Sequence, residues 1–402
     1  MAKNGLVKIT ALVMALAGAF SVGYKVGKDS SLPMDKHPAE GADENVLVVE
    51  QSEADSKVNA ILETMTLDEM VYQMMFVTPE AITGVGTVIS AGEMTKNALE
   101  AYPVGGIVYF AKNLKDREQT QSMIANTQSY TKIPLFIAVD EEGGRVARLG
   151  RNPLMGTTHL PPMKNIGDTG DETNAYNAGI TLGTELGKLG FNVDFAPVAD
   201  VIVNENNSEI GDRSFGTDAN RVSLMVGEIT RGIEEMGVSA ALKHFPGHGS
   251  TYANSHTGYS ESTRTIDELR NSEFLPFKAG IDQGADFVMI SHMTLVNATE
   301  EKVPSSISKE VITGMLIEEL GFEGIIITDS FQMGAITDNY TVGEAAVKAV
   351  EAGVDMILMT PDIKTAHSAI VQAVEDGTIS IERIEESVRK ILTVKYSQGM
   401  IK

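Results

Sequence analysis

Three of the seven histidines in the chain fall within thirteen positions, just after a short apolar run at residues 240–242. Lys243 and His244 follow the run side by side, and His248 and His256 lie in a loop that opens at Pro246. An imidazole can give or take a proton near neutral pH, and loops that leave buried strands often carry catalytic groups. The spacing therefore indicates a site of proton transfer.

The same histidines could instead bind a metal ion or belong to an inert loop. The spacing of His244, His248 and His256 is irregular, and the chain contains no cysteine. Asn254, the polar side chain between the last two, is a poor metal ligand. We therefore expect neither a metal nor a cofactor.

The elements that must position these side chains alternate from about residue 58 onward. Apolar segments typical of buried strands are separated by amphipathic helical stretches, among them 174–189, 219–236 and 307–320. This alternation predicts an α/β fold, a (β/α)₈ TIM barrel with a single catalytic domain, and a doubly wound open sheet is the alternative. The strand count and the lack of a glycine-rich phosphate turn after the first strand favour the barrel. The eight predicted strands are 74–77, 106–110, 135–139, 193–196, 240–243, 287–290, 325–328 and 356–359.

Polar residues follow four of the predicted strands. Asp140 ends the third strand, Lys243 and His244 end the fifth, His292 ends the sixth, and Asp329 follows the seventh. Charges at the ends of apolar strands are costly to bury unless they are paired or used. Because the carboxyl ends of barrel strands form the active-site face, the sequence predicts a functional site there.

Specific motifs surround these residues, and they resemble the single-domain β-N-acetylglucosaminidases of glycoside hydrolase family 3. The resemblance covers residues 67–396 approximately. It rests on DEEGGRVARL at 140–149, NVDFAPVADV at 192–201, IGDRSFG at 210–216, KHFPGHG at 243–249 and GIIITD at 324–329.

The resemblance implies an activity and a role for each matched residue. It implies a retaining exo-β-N-acetylglucosaminidase, of the β-N-acetylhexosaminidase type, whose substrate is a β-linked GlcNAc-containing glycan derived from peptidoglycan. Asp329 is the implied nucleophile, and His256 is the implied acid/base on the loop after the fifth strand. The implied substrate-binding residues are Asp140, Arg148, Arg213, Lys243, His244 and, lining the same pocket, His292.

The loop departs from the family pattern at Asn254, where an aspartate normally pairs with the catalytic histidine two residues later. An asparagine can accept a hydrogen bond from His256, but it carries no charge to stabilise the imidazolium. The departure leaves three hypotheses: a weak hydrolase, a hydrolase with altered acceptor or pH preference, or a carbohydrate-binding protein without turnover. A β-glucosidase or β-xylosidase of the same family is a further alternative.

The amino-terminal segment predicts export. Lys3 and Lys8 precede an uncharged, mostly apolar stretch at 9–24, so residues 1–27 resemble a signal peptide or a membrane anchor. Residues 28–57 are polar and acidic and predict a flexible linker, which leaves 58–402 for the barrel. The expected location is secreted or at the cell surface, with membrane attachment if the first segment is retained. The net charge of −23 argues against nucleic acid as a partner, and nothing in the sequence indicates an oligomeric state.

Overall fold

Eight short parallel strands form the centre of the structure, a computed structural model that describes residues 44–251 and 260–401. Each strand is hydrogen-bonded to its neighbour in the order β7–β6–β5–β4–β3–β2–β1–β8. The strands are β1 Met75–Val77, β2 Gly106–Val108, β3 Phe136–Val139, β4 Val193–Asp194, β5 Ser239–Phe245, β6 Phe287–Ile290, β7 Ile325–Thr328 and β8 Ile357–Leu358.

The sheet closes on itself where β7 meets β8. The backbone N–H of Thr328 donates to the carbonyl of Met356 at 3.1 Å, and that of Phe331 donates to the carbonyl of Leu358 at 2.9 Å. Each predicted strand overlaps one observed strand, so the barrel prediction is confirmed and the open-sheet alternative is wrong. The strands read as continuous apolar runs because a closed parallel sheet is covered on both faces.

Helices surround the barrel and separate successive strands. Many begin at a Thr, Ser or Asp whose side chain accepts a backbone N–H bond from the first turn, as Thr66, Asp171 and Asp218 do. A π-helical segment, Glu310–Glu319, lies between β6 and β7. The α-helices are α1 Glu44–Leu62, α2 Leu67–Gln73, α3 Pro79–Thr83, α4 Glu93–Ala101, α5 Arg117–Ser129, α6 Met163–Gly167, α7 Glu172–Leu189, α8 Ala219–Glu234, α9 Ile266–Arg270, α10 Phe274–Asp282, α11 Gly334–Thr337, α12 Val342–Ala352, α13 Ile363–Glu375 and α14 Ile381–Ser397.

Helix α1 begins inside the segment predicted as a flexible linker. Residues 44–57 of that segment are helical, and no glycine or proline interrupts the sequence from Glu44 to Leu62. Residues 1–43, which include the predicted signal or anchor segment, lie outside the described residues. Within the described part of the chain, no helix has the length and hydropathy needed to cross a bilayer.

The loops after β4 and β5 touch each other closely at the carboxyl end of the barrel. Gly249 accepts hydrogen bonds at its carbonyl from the backbone N–H groups of Val203 and Asn204, at 3.2 and 3.0 Å. A Cβ at Gly249 would lie 1.8 Å from the carbonyl oxygen of Val201, so this contact requires glycine. The two loops are therefore fixed against each other beside the predicted site.

Candidate active site

The segment after β3 folds around a buried carboxylate. Glu141 accepts hydrogen bonds from three successive backbone N–H groups, those of residues 148–150, at 2.7, 2.7 and 2.8 Å. Burial raises the pKa of Glu141, and these bonds oppose the rise. The turn that they hold brings Arg148 back to Asp140, with Nη2 at 3.3 Å from Oδ2. Two predicted substrate-binding residues are thus adjacent.

A network of alternating charges, called the charged network below, connects β3 with β5 and with the loop after β4. Lys243 is almost fully buried, and its Nζ lies 3.0 Å from Asp140 Oδ1 and 2.5 Å from Glu142 Oε1. Arg213 forms two hydrogen bonds to Glu142, each of 2.8 Å. The side chains of the charged network contact one another in the order Arg148–Asp140–Lys243–Glu142–Arg213.

Three members of this network, Glu142, Lys243 and Arg213, hold one another in their ionised forms. Burial raises the pKa of Glu142, but Arg213 and Lys243 together outweigh it and hold that pKa well below its usual range. Burial lowers the pKa of Lys243, but the carboxylates of Glu142 and Asp140 raise it above its ordinary value. The cluster therefore presents fixed charges to a ligand at neutral pH.

The histidine pair of the opening motif is organised by Asp200, a fully buried carboxylate after β4. His244 Nδ1 lies 2.7 Å from Asp200 Oδ2, and the backbone N–H of His248 donates to Oδ1 at 2.6 Å. The Oγ1 of Thr251 lies 3.0 Å from His248 Nδ1. Burial is the largest cause that lowers the pKa of His248. His248 is therefore neutral near pH 7.

Asp329 lies at the end of β7, where the sequence analysis placed it. Its backbone N–H donates to the carbonyl of Ile290 at 2.8 Å, and its Oδ1 accepts the backbone N–H of Ser330 at 2.6 Å. These bonds fix the carboxylate at the mouth of the barrel, facing the cavity described next.

A cavity of about 410 Å³ opens at this end of the barrel, a volume typical of small-molecule sites. Apolar side chains such as Phe110 and Met289 form part of its wall, and Glu142 and Glu209 add carboxylates. Six of the predicted site residues line it: Asp140, Arg148, Arg213, Lys243, His244 and Asp329. The structure thus gathers residues that are separated by up to 189 positions in the chain.

His292, the seventh predicted residue of the pocket, is not among the described residues that line the cavity. Its side chain is fully buried, with Nδ1 2.8 Å from Ser306 Oγ and Nε2 2.9 Å from the carbonyl oxygen of Ser330. The ring donates from Nε2 to that carbonyl, so it supports the backbone beside Asp329.

The predicted acid/base His256 and its neighbour Asn254 lie in residues 252–259, outside the described residues. Sequence reasoning also left two residues without a role, Glu142 and Asp200. Both lie inside the family motifs at 140–149 and 192–201, and these motifs were the sequence signal that could have identified them as parts of the site. No group of three or more His, Asp or Glu side chains within residues 44–251 and 260–401 is arranged to hold a metal ion.

Comparison with known proteins supplies the family. The family model described as "Glycosyl hydrolase family 3 N terminal domain" matches residues 66–394. Beta-hexosaminidase A of Pseudoalteromonas piscicida is 33% identical over 325 residues, which cover 74% of this chain and 54% of that protein. A beta-hexosaminidase of Nitrosomonas eutropha is 32% identical over 340 residues, which cover 82% of this chain and 95% of that protein. The chain thus spans about half of the first relative and nearly all of the second.

The solved structures agree with the sequence comparison. A glycoside hydrolase family 3 beta-N-acetylglucosaminidase from Paenibacillus sp. str. FPU-7 superposes with a TM-score of 0.78 at 37% identity. The superposition covers 84% of this chain and 63% of that one. With a closed barrel, a charged cavity at its carboxyl end and a family match over most of its length, the chain belongs to glycoside hydrolase family 3.

Proposed function

We propose that the protein is a retaining exo-β-N-acetylglucosaminidase that removes terminal GlcNAc from glycans derived from peptidoglycan. The observation that carries the proposal is the position of Asp329, a carboxylate at the end of β7 that faces the same cavity as Arg148, Arg213 and Lys243. Relatives named beta-hexosaminidase and beta-N-acetylglucosaminidase support the choice of sugar.

In the proposed mechanism, Asp329 attacks the anomeric carbon and forms a glycosyl-enzyme intermediate. Retention requires such a carboxylate, together with a group that protonates the leaving oxygen and then activates water. His256 is the proposed acid/base, because an imidazole with a pKa near ~6.5 can do both near neutral pH. The family resemblance supports this role.

The charged network, which shares the cavity with Asp329, is proposed to bind the sugar. Asp140 offers an acceptor to a hydroxyl group, and Arg148 and Arg213 offer donors in fixed planar arrangements. Because their charges are already paired within the protein, these groups contact a neutral sugar without leaving an uncompensated buried charge. A neutral polyhydroxylated ligand is therefore the substrate class that the site fits.

The second candidate function is sugar binding without turnover, and Asn254 is the observation that favours it. An amide in place of the usual carboxylate removes the charge that would favour the protonated form of His256. Under this hypothesis the cavity still binds GlcNAc, but the leaving group receives no proton.

Hydrolysis of chromogenic glycosides separates these functions. We expect turnover of the β-GlcNAc glycoside to exceed that of the β-glucoside and β-xyloside. A preference for either of those two would support the other family activities instead. GlcNAc binding measured by calorimetry, with no hydrolysis of any of the three, would support the binding protein.

We also propose that the protein is exported and acts outside the cytoplasm or at the cell surface. The pattern of residues 1–27 supports this location. Fractionation of the native host should recover the protein from the membrane or the exterior. Recovery of the full-length chain free in the cytosol would contradict both the location and the extracellular substrate.

A further inference from the structure

Asp200 is a fully buried carboxylate beside the cavity wall, and it contacts the wall residue His244 twice. Its Oδ2 lies 2.7 Å from His244 Nδ1, and its Oδ1 accepts the backbone N–H of His244 at 3.3 Å. The same Oδ1 accepts the backbone N–H of His248 at 2.6 Å. One carboxylate thus holds the ring of one histidine and the backbone of another.

These contacts decide which nitrogen of His244 carries the proton. Asp200 Oδ1 accepts two backbone N–H groups, and burial, which raises the pKa of Asp200, is outweighed by His244 and His248 together, so that the pKa is lowered. The group is therefore an ionised acceptor without a proton to donate. Nδ1 of His244 must therefore donate, and in a neutral imidazole with its proton on Nδ1 the other nitrogen, Nε2, is an acceptor. Arg213 Nη2, which can only donate, lies 3.4 Å from that Nε2 and agrees with this tautomer.

Asp200 also fixes the segment that carries Arg213. Its backbone carbonyl accepts a hydrogen bond from Ser214 Oγ at 2.6 Å, directly after Arg213 in the chain. The residue therefore aligns the loop after β4 with the end of β5, where the cavity residues His244 and His248 lie.

We propose that Asp200 is a positioning residue that presents His244 Nε2 to the substrate as a hydrogen-bond acceptor for a sugar hydroxyl group. The proposal rests on the proposed function, because it assumes a sugar in this cavity. Asp200 itself need not touch the substrate, since it acts through the tautomer and orientation of His244.

Asp200→Asn tests the tautomer with almost no change of shape. The amide oxygen is expected to stay against the backbone N–H groups of His244 and His248, because the opposite orientation sets an NH₂ against two donors. The amide NH₂ then faces His244 Nδ1 and donates to it. The ring proton moves to Nε2, which then points an N–H group at Arg213 Nη2. Protonated Nε2 no longer accepts a hydrogen bond from a sugar hydroxyl group.

The measurement is ¹⁵N NMR of histidine-labelled protein at pH 8, with the His244 signals assigned by their loss in His244→Gln. We expect a protonated Nδ1 in the wild type and a protonated Nε2 in Asp200→Asn. Binding of GlcNAc, followed by calorimetry, should weaken at least tenfold, and KM should rise by a similar factor. In the His244→Gln background, Asp200→Asn should produce little further loss.

Asp355→Asn is the matched control. Asp355 is another fully buried carboxylate, bound to Arg383, Lys390 and Ser387, and it is not a cavity residue. Its variant should lose stability without a change in the His244 signals or in GlcNAc binding. This separates positioning from a general structural role.

Two results would overturn the inference. One is a wild-type His244 with its proton on Nε2, which is measurable even if Asp200→Asn does not fold. The other is unchanged GlcNAc binding in an Asp200→Asn protein whose tautomer has moved. Failure of the proposed function is distinguishable, because it would appear as absent turnover in the wild type while the tautomer and binding still report on Asp200.

Discussion

Replacing Glu142 by glutamine tests whether the charged network stabilises the cavity. Glu142 is 2% exposed, and its two oxygens contact Arg213 and Lys243 at 2.5–2.8 Å. Glutamine has the same shape, but it carries no charge and must turn an NH₂ donor toward one of the two cations. Lys243 keeps Asp140 at 3.0 Å, whereas Arg213 loses its bidentate carboxylate.

The expected loss of stability follows from this geometry. Removing one partner of a buried ion pair costs roughly 3–5 kcal/mol, because a buried charge is left uncompensated. An unfolding entropy of about 2.1 cal/mol/K per residue, over a body of about 350 residues, amounts to roughly 0.7 kcal/mol/K. Tm should therefore fall by about 4–7 °C. KM should rise as well, since Arg213 and Lys243 line the cavity.

Thermal unfolding at several pH values is the assay. The folded pKa of Glu142 is lowered, so its stabilisation is present above the unfolded value of about 4.3 and is lost as pH falls toward the folded value. The gap in Tm between wild type and variant should thus narrow in acid. Glu228→Gln is the control, because its pair with Arg231 is partly exposed and worth about 1 kcal/mol or less. Equal effects of the two variants at pH 7, or a gap that does not change with pH, would refute the reasoning.

The remaining predictions concern the loop and the base of the barrel. Asn254→Asp should raise turnover of substrates with poor leaving groups, and His256→Ala should lose those substrates first, because they depend most on protonation. A leaving-group series measures both, and full activity of His256→Ala on unactivated disaccharides would assign the acid to another residue. Burial lowers the pKa of Lys395 to about 7, below its unfolded value of ~10.4, so the free energy of unfolding should rise with pH between these values. The Lys395→Met variant should lack that rise when urea unfolding is measured at pH 6, 8 and 10. If the free energy of unfolding changes with pH in parallel in wild type and variant, Lys395 is not the source of the rise.

The sequence was enough to predict the barrel for a physical reason. Strands covered on both faces must be apolar throughout, so segments such as 135–139 and 325–328 stand out in the sequence. Polar residues at their ends then stand out as well, and Asp140, Lys243 and Asp329 do line one cavity.

Other features depend on contacts that no pattern of spacing encodes. Side chains alternate in direction near a strand end, so the sequence did not say whether Ser291 or His292 faces inward. Arg213 is 71 positions away from its partner Glu142, and His244 is 44 positions away from Asp200, so only the closed fold brings these pairs together. Those distances explain why both residues were missed as parts of the site.

Covalent labelling of Asp329 tests the central claim most directly. A slow fluorinated GlcNAc donor should accumulate as a glycosyl-enzyme, and mass spectrometry of the digested protein should locate the sugar on Asp329. Asp329→Asn should neither hydrolyse substrate nor take up the label, while Asp338→Asn, an exposed carboxylate nearby in the chain, should do both. A label on another residue, or near wild-type turnover by Asp329→Asn, would contradict the assignment of Asp329 as the nucleophile.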